Sequence, residues 1–211
     1  MIKLHGYPLS NYYNMVKFAL IEKNIDFEDV IAVPRQGEIS RKKSPLGQVP
    51  FIETDQGSLS DTMVILGYLE TIKAEPALLP KDTYEAAKVW QVCKVLELNI
   101  ELQARRHFGE LFWDGARNES AVTDARTLLE KGLYALSQLG SFDPYLCGAF
   151  SIADIYAAHT FIYAGPACQK VYGWDIVAEV KGLQHTIDKT NARKAGAMVA
   201  ADQQAALKTY Q

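Results

Sequence analysis

The sequence predicts two domains, a small α/β unit followed by an all-helical one. Its 211 residues are enough for two compact domains. Strand-like and helix-like segments alternate in the first third, whereas almost every segment after residue 74 has the periodicity of an amphipathic helix. A stretch with two prolines lies between these patterns. We therefore assign residues 1–74 to the first domain, residues 75–84 to a linker and residues 85–211 to the second domain.

The first domain is predicted to have the order β-α-β, a loop, then β-β-α. Alternating apolar and polar residues indicate the first strand, and helical spacing of Val16, Ala19 and Leu20 indicates the first helix. Asp55-Gln56-Gly57 has the chemistry of a hairpin turn. We predict strands near 2–5, 27–33, 49–52 and 58–60, helices over about 12–23 and 61–73, and a connection over 35–47.

Helical periodicity continues through the second domain, with Gly, Pro and Asn between the segments. We predict amphipathic helices near residues 83–115, 119–139, 151–164 and 174–190. The alanine-rich end, from Ala195 to Ala206, is interpreted as a weak helix or a frayed tail.

Composition and charge exclude several classes of function. Hydrophobic residues make up 48 % and charged residues 22 %, as in ordinary globular proteins. The formal charge is -3 and no basic cluster is present, so we do not expect nucleic-acid binding. Neither a signal peptide nor an apolar segment of about 18 residues is recognisable. We expect a cytoplasmic protein that does not enter membranes.

Cysteine and histidine spacing gives no sign of a metal or redox centre. Cys93, Cys147 and Cys168 are widely separated and form no Cys-x-x-Cys pair, which predicts three reduced thiols. The four histidines have no ligand spacing, and phosphate-loop, His-Glu-x-x-His and Gly-x-Ser-x-Gly motifs are missing. We therefore expect no metal cofactor, no nucleotide hydrolysis and no serine hydrolase of the usual kind.

Two segments carry residues suited to ligand binding, although each also has a purely structural interpretation. In the loop 6–14, Ser10 directly precedes the first predicted helix. A hydroxyl there is typical of an N-cap, or it points at a ligand beside a helix end that favours anions. The second segment, residues 44–50, ends in Val49-Pro50 at a predicted strand start and is followed by Asp61-Thr62, which are ordinary capping residues.

Taken together, these features resemble the cytosolic glutathione transferase family, in its serine-type, bacterial-like form. The resemblance rests on the element order, Ser10 before the first helix, Gln48-Val49-Pro50 at the third strand and Asp61-Thr62 at the next helix. It covers roughly residues 1–189. It implies a thioredoxin-like first domain, an all-α second domain, glutathione as co-substrate, a homodimer and a role in detoxification.

The helical half adds a second match, because residues 145–154 look like the family's Gly-x-x-Ser/Thr-x-Ala-Asp stretch. In that stretch Ser151 and Asp154 form an N-cap box, so we assign the pair to folding and not to catalysis.

The resemblance also implies roles for individual residues in binding glutathione. Pro50 is expected to be cis, so that the backbone of Val49 pairs with the cysteinyl part of the tripeptide like an added strand. The Asp61-Thr62 pair matches the acidic and hydroxyl residues that hold the γ-glutamyl end. Gln48 matches a polar position near the glycyl end, and Arg35 lies where some classes place a basic residue for the glycyl carboxylate.

Ser10 matches the serine that hydrogen-bonds the glutathione sulfur and stabilises its thiolate, but this loop departs from the family pattern. Asn11 and Asn14 replace a proline and a basic residue that many members have. Tyr7 lies where tyrosine-type members carry their hydroxyl and is the leading rival to Ser10. The phenols of Tyr12-Tyr13 and the side-chain amide of Asn11 are further alternatives.

The resemblance implies an electrophile site between the domains. Candidates for it are Tyr12, Arg106, Phe108 and Phe112, although aromatic packing and a solvated helix end explain these residues equally well. The co-substrate is expected to be a small electrophile or a peroxide.

Two other classes of function compete with a transferase. One is a non-catalytic module for protein interaction or regulation, since fold alone does not fix function. The other is a cysteine-type thiol reductase, which needs a thiol where Ser10 stands.

Overall fold

The computed structural model describes residues 1–34, 41–113 and 115–209. The chain divides into two compact units: unit 1 is Met1–Leu78 with Asn191–Gln211, and unit 2 is Leu79–Thr190. The expected division places the C-terminal segment in the second domain, whereas its contacts are with the first unit.

Unit 1 is built on a mixed sheet with the strand order β2-β1-β3-β4 among the described residues. The strands are β1 (Ile2–Gly6), β2 (Phe27–Ile31), β3 (Phe51–Thr54) and β4 (Gly57–Ser60). β1 runs parallel to β2 and antiparallel to β3, and β3 and β4 form the predicted hairpin. Leu4 and Ile52 are fully buried in the centre of this sheet.

The helices are numbered along the chain: α1 (Asn11–Glu22), α2 (Thr62–Ile72), α3 (Thr83–Val95), α4 (Leu102–Arg105), α5 (Phe108–Trp113), α6 (Glu119–Leu139), α7 (Ile152–Tyr172), α8 (Leu183–Asn191) and α9 (Lys194–Thr209). Between α3 and α4, residues Leu96–Glu101 form a π-helical segment. Unit 1 therefore has the predicted order β-α-β and then β-β-α, with α9 added to it, and residues 35–40 of the predicted connection lie outside the described residues.

The alanine-rich end is an ordered helix, and the interpretation as a frayed tail is wrong. α9 packs on α1, and its residues Ala195 and Val199 are each 1 % exposed. Asp202 of α9 also forms an ion pair of 2.9 Å with Lys17 of α1. The ion pair adds a directed contact between the two helices.

Unit 2 is helical, but its helix bounds differ from the prediction. α7 continues past residue 164 to Tyr172 although Pro166 lies inside it. Proline has no backbone N–H, so the hydrogen bond to the carbonyl of Ile162, four residues earlier, is missing. Ile162 is 42 % exposed, so this break in the helix lies at the surface of the unit. The predicted helix 174–190 begins only at Leu183, because Asp175 instead accepts hydrogen bonds from nearby backbone amides in a turn.

The N-cap box at the start of α7 is present. The carboxylate of Asp154 accepts hydrogen bonds from the backbone N–H groups of Leu146 and Ser151, both at 2.8 Å. Burial raises the pKa of Asp154 to about 6. These contacts join α7 to the segment before it and fit the expected role in folding.

Candidate functional site

The loop between β1 and α1 places Ser10 at the N-cap of α1. Its Oγ accepts a hydrogen bond from the backbone N–H of Tyr13 at 3.3 Å, and its own N–H donates to the carbonyl of Tyr7 at 2.9 Å. The Ser10 O–H has no acceptor within the described parts of the chain, and the side chain is half-buried. The hydroxyl is thus held through its lone pair while its hydrogen can be donated to a ligand.

Two further contacts fix this loop. The side-chain amide of Asn14 donates to the carbonyl of Pro8 at 2.8 Å, and its Oδ1 is buried without a hydrogen-bond partner among the described residues. At Gly6, a Cβ would lie 2.3 Å from the ring of Tyr13. The close approach of β1 to α1 therefore requires glycine, a requirement that the sequence alone did not reveal.

The alternative donors to the sulfur differ in burial. Tyr13 is 1 % exposed, and its phenol donates to the Asp29 carboxylate at 2.5 Å, so this hydroxyl is already used. Burial and the neighbouring carboxylate raise the pKa of Tyr13. Asn11 is 2 % exposed, whereas Tyr7 and Tyr12 are half-buried, and each of the three has polar or ring contacts of its own. Tyr7 stays the leading rival to Ser10.

The loop before β3 presents the backbone of Val49. The Val49–Pro50 peptide bond is cis, as the resemblance implies. Ser44, which the sequence analysis did not single out, is buried and holds the loop: its hydroxyl donates to the carbonyl of Gln48 at 2.8 Å and accepts from the Gln48 N–H at 3.2 Å. The only sequence signal for Ser44 is its place before Pro45, typical of a turn start. Gln48 is exposed and Val49 half-buried.

Asp61 and Thr62 open α2. The Asp61 carboxylate accepts hydrogen bonds from the backbone N–H groups of Met63 at 2.9 Å and Val64 at 3.2 Å. Asp61 has a φ of 79°, a left-handed conformation that costs a non-glycine residue about 1–3 kcal/mol. Thr62 is buried, and its hydroxyl donates to the carbonyl of Tyr12 at 3.4 Å. This contact joins the first turn of α2 to the first turn of α1.

Sheet register explains why these separate segments meet. His5 pairs with Phe51 and Phe51 pairs with Ser60, so the end of β1, the start of β3 and the end of β4 share one edge. The loop of Ser10, the cis Pro50 and the cap Asp61 continue from those three strand ends. The structure therefore brings these predicted residues together in unit 1.

The same edge receives the N-termini of α1 and α2. Partial positive charge at a helix N-terminus favours an anion by about 0.3–1 kcal/mol. The first turns of both helices lack acidic residues, and the one carboxylate at these two N-termini is the cap Asp61 of α2. The edge therefore suits a ligand that carries negative groups, such as a thiolate and carboxylates.

The remaining predicted residues are Arg35 and three residues of unit 2. Arg35 is outside the described residues. In unit 2, Arg106 is exposed and lies 3.7 Å from the Asp124 carboxylate. Phe108 packs edge-on against Phe112, with ring centroids 5.3 Å apart, and Phe112 is 47 % exposed. Phe108 is thus part of an aromatic cluster, and Phe112 presents more surface to a ligand.

Two negative findings hold for the described ranges 1–34, 41–113 and 115–209. No group of three or more His, Cys, Asp or Glu side chains there is arranged to hold a metal ion. No helix in these ranges has the length and apolar character needed to span a membrane.

Comparisons with known proteins agree on one family. A family profile described as glutathione S-transferase, N-terminal domain, matches residues 4–77. The chain is 36 % identical over 211 residues to a glutathione S-transferase of Pseudomonas putida, covering 100 % of this chain and 96 % of that relative. It is 26 % identical over 170 residues to glutathione S-transferase Z2 of Arabidopsis thaliana, covering 74 % of this chain and 76 % of the plant protein.

Solved structures support the same fold. A glutathione S-transferase of Methylobacillus flagellatus with GSH bound has a TM-score of 0.79 at 22 % identity, over 94 % of this chain and 98 % of that chain. This likeness confirms the predicted fold class, a thioredoxin-like unit with an all-α unit. With the full-length similarity to the Pseudomonas relative, it follows that the chain belongs to the glutathione S-transferase family.

Proposed function

We propose that this protein is a glutathione transferase in which Ser10 stabilises the thiolate of glutathione for attack on an electrophilic co-substrate. The observation that carries the proposal is the hydrogen bonding of the Ser10 hydroxyl. Its Oγ accepts the Tyr13 N–H at 3.3 Å, and its O–H has no acceptor in the described structure. A serine held in this way donates a hydrogen bond outward at a helix N-terminus.

The interactions of this arrangement are strong enough to lower the thiol pKa of glutathione as the reaction requires. A thiol with a pKa of about 8.5 is only a few per cent ionised at neutral pH, and lowering that pKa by about two units requires roughly 2.7 kcal/mol. A hydrogen bond to a charged group supplies about 1.5–3 kcal/mol. A helix N-terminus adds about 0.3–1 kcal/mol. Ser10 and the first turn of α1 together reach the required free energy without a second ionisable group.

The rest of the sheet edge is proposed to hold the tripeptide. The backbone of Val49 pairs with the cysteinyl part, in the manner of an added strand. The Asp61 carboxylate binds the γ-glutamyl ammonium group. The adjacent carboxylate is bound at the N-terminus of α2, where the Thr62 hydroxyl turns from the Tyr12 carbonyl, 3.4 Å away, to the ligand. Gln48, together with Arg35, is proposed for the glycyl end.

Contacts with the co-substrate are proposed separately for Tyr12 of unit 1 and for Arg106, Phe108 and Phe112 of unit 2. In the transfer step the thiolate sulfur forms a bond to an electrophilic carbon, and a leaving group such as halide departs with the bonding electrons. Phe112→Ala is expected to raise the KM for an aryl halide while leaving the KM for glutathione within about twofold. A change in the glutathione KM alone would contradict this assignment.

A direct test follows the thiolate itself. Ultraviolet titration of the glutathione complex is expected to show thiolate absorbance with an apparent pKa well below that of free glutathione, and an aryl halide is expected to be turned over. A complex without thiolate absorbance near neutral pH would contradict the proposed role of Ser10.

The non-catalytic interaction module is not favoured, because similarity to a relative named as a transferase extends over the whole chain. Failure of both retention on immobilised glutathione and turnover would restore that alternative. We also propose a cytoplasmic homodimer, as is typical of the family, and sedimentation as a clean monomer would refute the dimer.

A further inference from the structure

A network of charged and polar side chains lies behind the Ser10 loop and joins three elements of unit 1. The phenol of Tyr13 donates to Oδ1 of Asp29 on β2 at 2.5 Å. The ammonium group of Lys17, one turn further along α1, lies 2.6 Å from Oδ2 of the same carboxylate. Its second partner is Asp202 of α9, at 2.9 Å. We call these four residues the Lys17 network.

Because it is buried, the Lys17 network has a larger desolvation cost than a surface ion pair. The Lys17 side chain is only 9 % exposed, and Tyr13 is 1 % exposed. A buried ammonium group costs several kcal/mol unless partners compensate for its lost hydration. Burial alone lowers the pKa of Lys17, but hydrogen bonds to Asp29 and Asp202 outweigh it and raise that pKa. Lys17 is therefore charged and held between β2 and α9.

The Lys17 network reaches Ser10 through Tyr13. The backbone N–H of Tyr13 is the donor to Ser10 Oγ, and its ring lies against Gly6, at the end of β1. Fixing the Tyr13 side chain at both its ring and its hydroxyl fixes the amide that orients the serine. A shift of that amide would change the direction in which the Ser10 O–H points.

We propose that the Lys17 network is a positioning device for the Ser10 hydroxyl, so that the C-terminal helix α9 acts on the thiolate chemistry through α1. This inference rests on the proposed function of Ser10. Asp29 is the central positioning residue because it binds both Tyr13 and Lys17, and Asp202 connects α9 to it. None of the four side chains needs to touch glutathione.

A second ion pair offers a matched control. Glu22, at the other end of α1, pairs with Arg193, which directly precedes α9. This contact also joins the C-terminal segment to α1, but it lies at the end of α1 opposite to Ser10 and Tyr13. Glu22→Gln therefore removes a comparable ion pair between α1 and the C-terminal segment and leaves the Lys17 network in place.

The experiment compares Asp29→Asn, Asp202→Asn and Tyr13→Phe with Glu22→Gln in the full chain. The thiol pKa of bound glutathione is measured by ultraviolet titration, with kcat, KM and the urea midpoint for each variant. For Asp29→Asn and Tyr13→Phe we expect the thiol pKa to rise by about half a unit to one unit. At a pH below the thiol pKa of the parent complex, the thiolate fraction then falls about three- to tenfold. Asp202→Asn is expected to have a smaller effect in the same direction. The KM for glutathione is expected to stay within about twofold.

The sign of this shift separates positioning from a simple field effect. Asp29→Asn and Asp202→Asn each remove a negative charge, which by itself favours a nearby thiolate and lowers the thiol pKa. A raised thiol pKa therefore indicates that the Ser10 hydrogen bond is misdirected. Glu22→Gln is expected to lower the urea midpoint without raising the thiol pKa.

Failure of this inference is distinguishable from failure of the proposed function. If Ser10→Ala raises the thiol pKa while the network variants behave like Glu22→Gln, only the inference is overturned. If Ser10→Ala leaves the thiol pKa unchanged, the proposed function itself is wrong. Tyr13→Phe keeps the ring and the backbone amide, so it tests the connection even where Asp29→Asn does not fold.

Discussion

Replacement of Ser10 by alanine is the most direct perturbation of the proposed chemistry. The substitution removes one hydroxyl, which accepts the Tyr13 N–H at 3.3 Å and has its own hydrogen available for a ligand. The fold of the loop is supported independently by the contact of Asn14 with the Pro8 carbonyl at 2.8 Å. We therefore expect the variant to fold and to bind glutathione with its thiol largely protonated.

The expected magnitude follows from the hydrogen bond that is lost. A bond from a neutral donor to a charged sulfur contributes about 1.5–3 kcal/mol. Since one pKa unit corresponds to about 1.36 kcal/mol, the thiol pKa of bound glutathione should rise by about one to two units. At a pH below the thiol pKa of the parent complex, thiolate and kcat should fall about ten- to a hundredfold. The helix N-terminus still contributes, so the pKa stays below that of free glutathione.

The assay combines ultraviolet titration of the complex with steady-state kinetics on an aryl halide. A control for stability is needed, because removing an N-cap costs about 0.5–2 kcal/mol. Asn118→Ala provides it: Asn118 caps α6 in unit 2 and accepts the Ala121 N–H at 3.0 Å. Both variants should lose stability to a similar extent, and only Ser10→Ala should raise the thiol pKa.

One result would refute this reasoning. If Ser10→Ala kept the thiol pKa and the turnover of the parent while Tyr7→Phe lost both, the sulfur would be bound by the phenol. An unchanged pKa in both variants would leave Tyr12 and Asn11 as the remaining alternatives, to be tested by Tyr12→Phe and Asn11→Ala.

The remaining predictions concern stability and binding. Gly6→Ala should lower the free energy of unfolding, measured by urea titration, by about 1–3 kcal/mol, because the added Cβ would lie 2.3 Å from the Tyr13 ring. Gly67→Ala is the control and should cause no such loss, because the space around its added Cβ is open. Asp61→Asn keeps a cap acceptor but loses the charge, so the KM for glutathione should rise about fivefold with the thiol pKa unchanged, and an unaltered KM would remove Asp61 from the site. Burial lowers the pKa of His159 to about 4 from its ordinary 6.5, so the unfolded chain takes up the proton first as pH falls. Stability from this group is present above about pH 6.5 and is lost towards pH 4, about 3 kcal/mol in all, and urea unfolding of His159→Leu across that range should show a correspondingly smaller loss.

Local signals explain which parts of the fold could be predicted from the sequence. The hairpin of β3 and β4 follows from Asp55-Gln56-Gly57, and both α1 and α2 begin directly after the capping residues Ser10 and Asp61. These features depend on a few neighbouring residues. The residues of the candidate site could be predicted for the same reason, because they lie at the ends of predicted elements.

Contacts between distant segments could not be predicted in this way. Lys17 has the pattern of an ordinary helical cation, and nothing near it in sequence indicates that Asp202 will be its partner. The alanine-rich C-terminal segment indicates helix propensity but not the helix on which it packs. The sequence alone makes Tyr13 a possible donor to sulfur, whereas its side chain is buried and its hydroxyl donates to Asp29.

Binding of the tripeptide and loss of the thiol proton depend on different features of the structure. The register His5–Phe51–Ser60 brings Val49-Pro50 beside Asp61, so the surface proposed to bind the tripeptide depends on topology. Proton loss from sulfur depends instead on one donor at the start of α1. Ser10→Ala should therefore still be retained on immobilised glutathione while its turnover falls. Loss of retention in Ser10→Ala, with a urea midpoint like that of Asn118→Ala, would mean that the hydroxyl also carries much of the binding free energy.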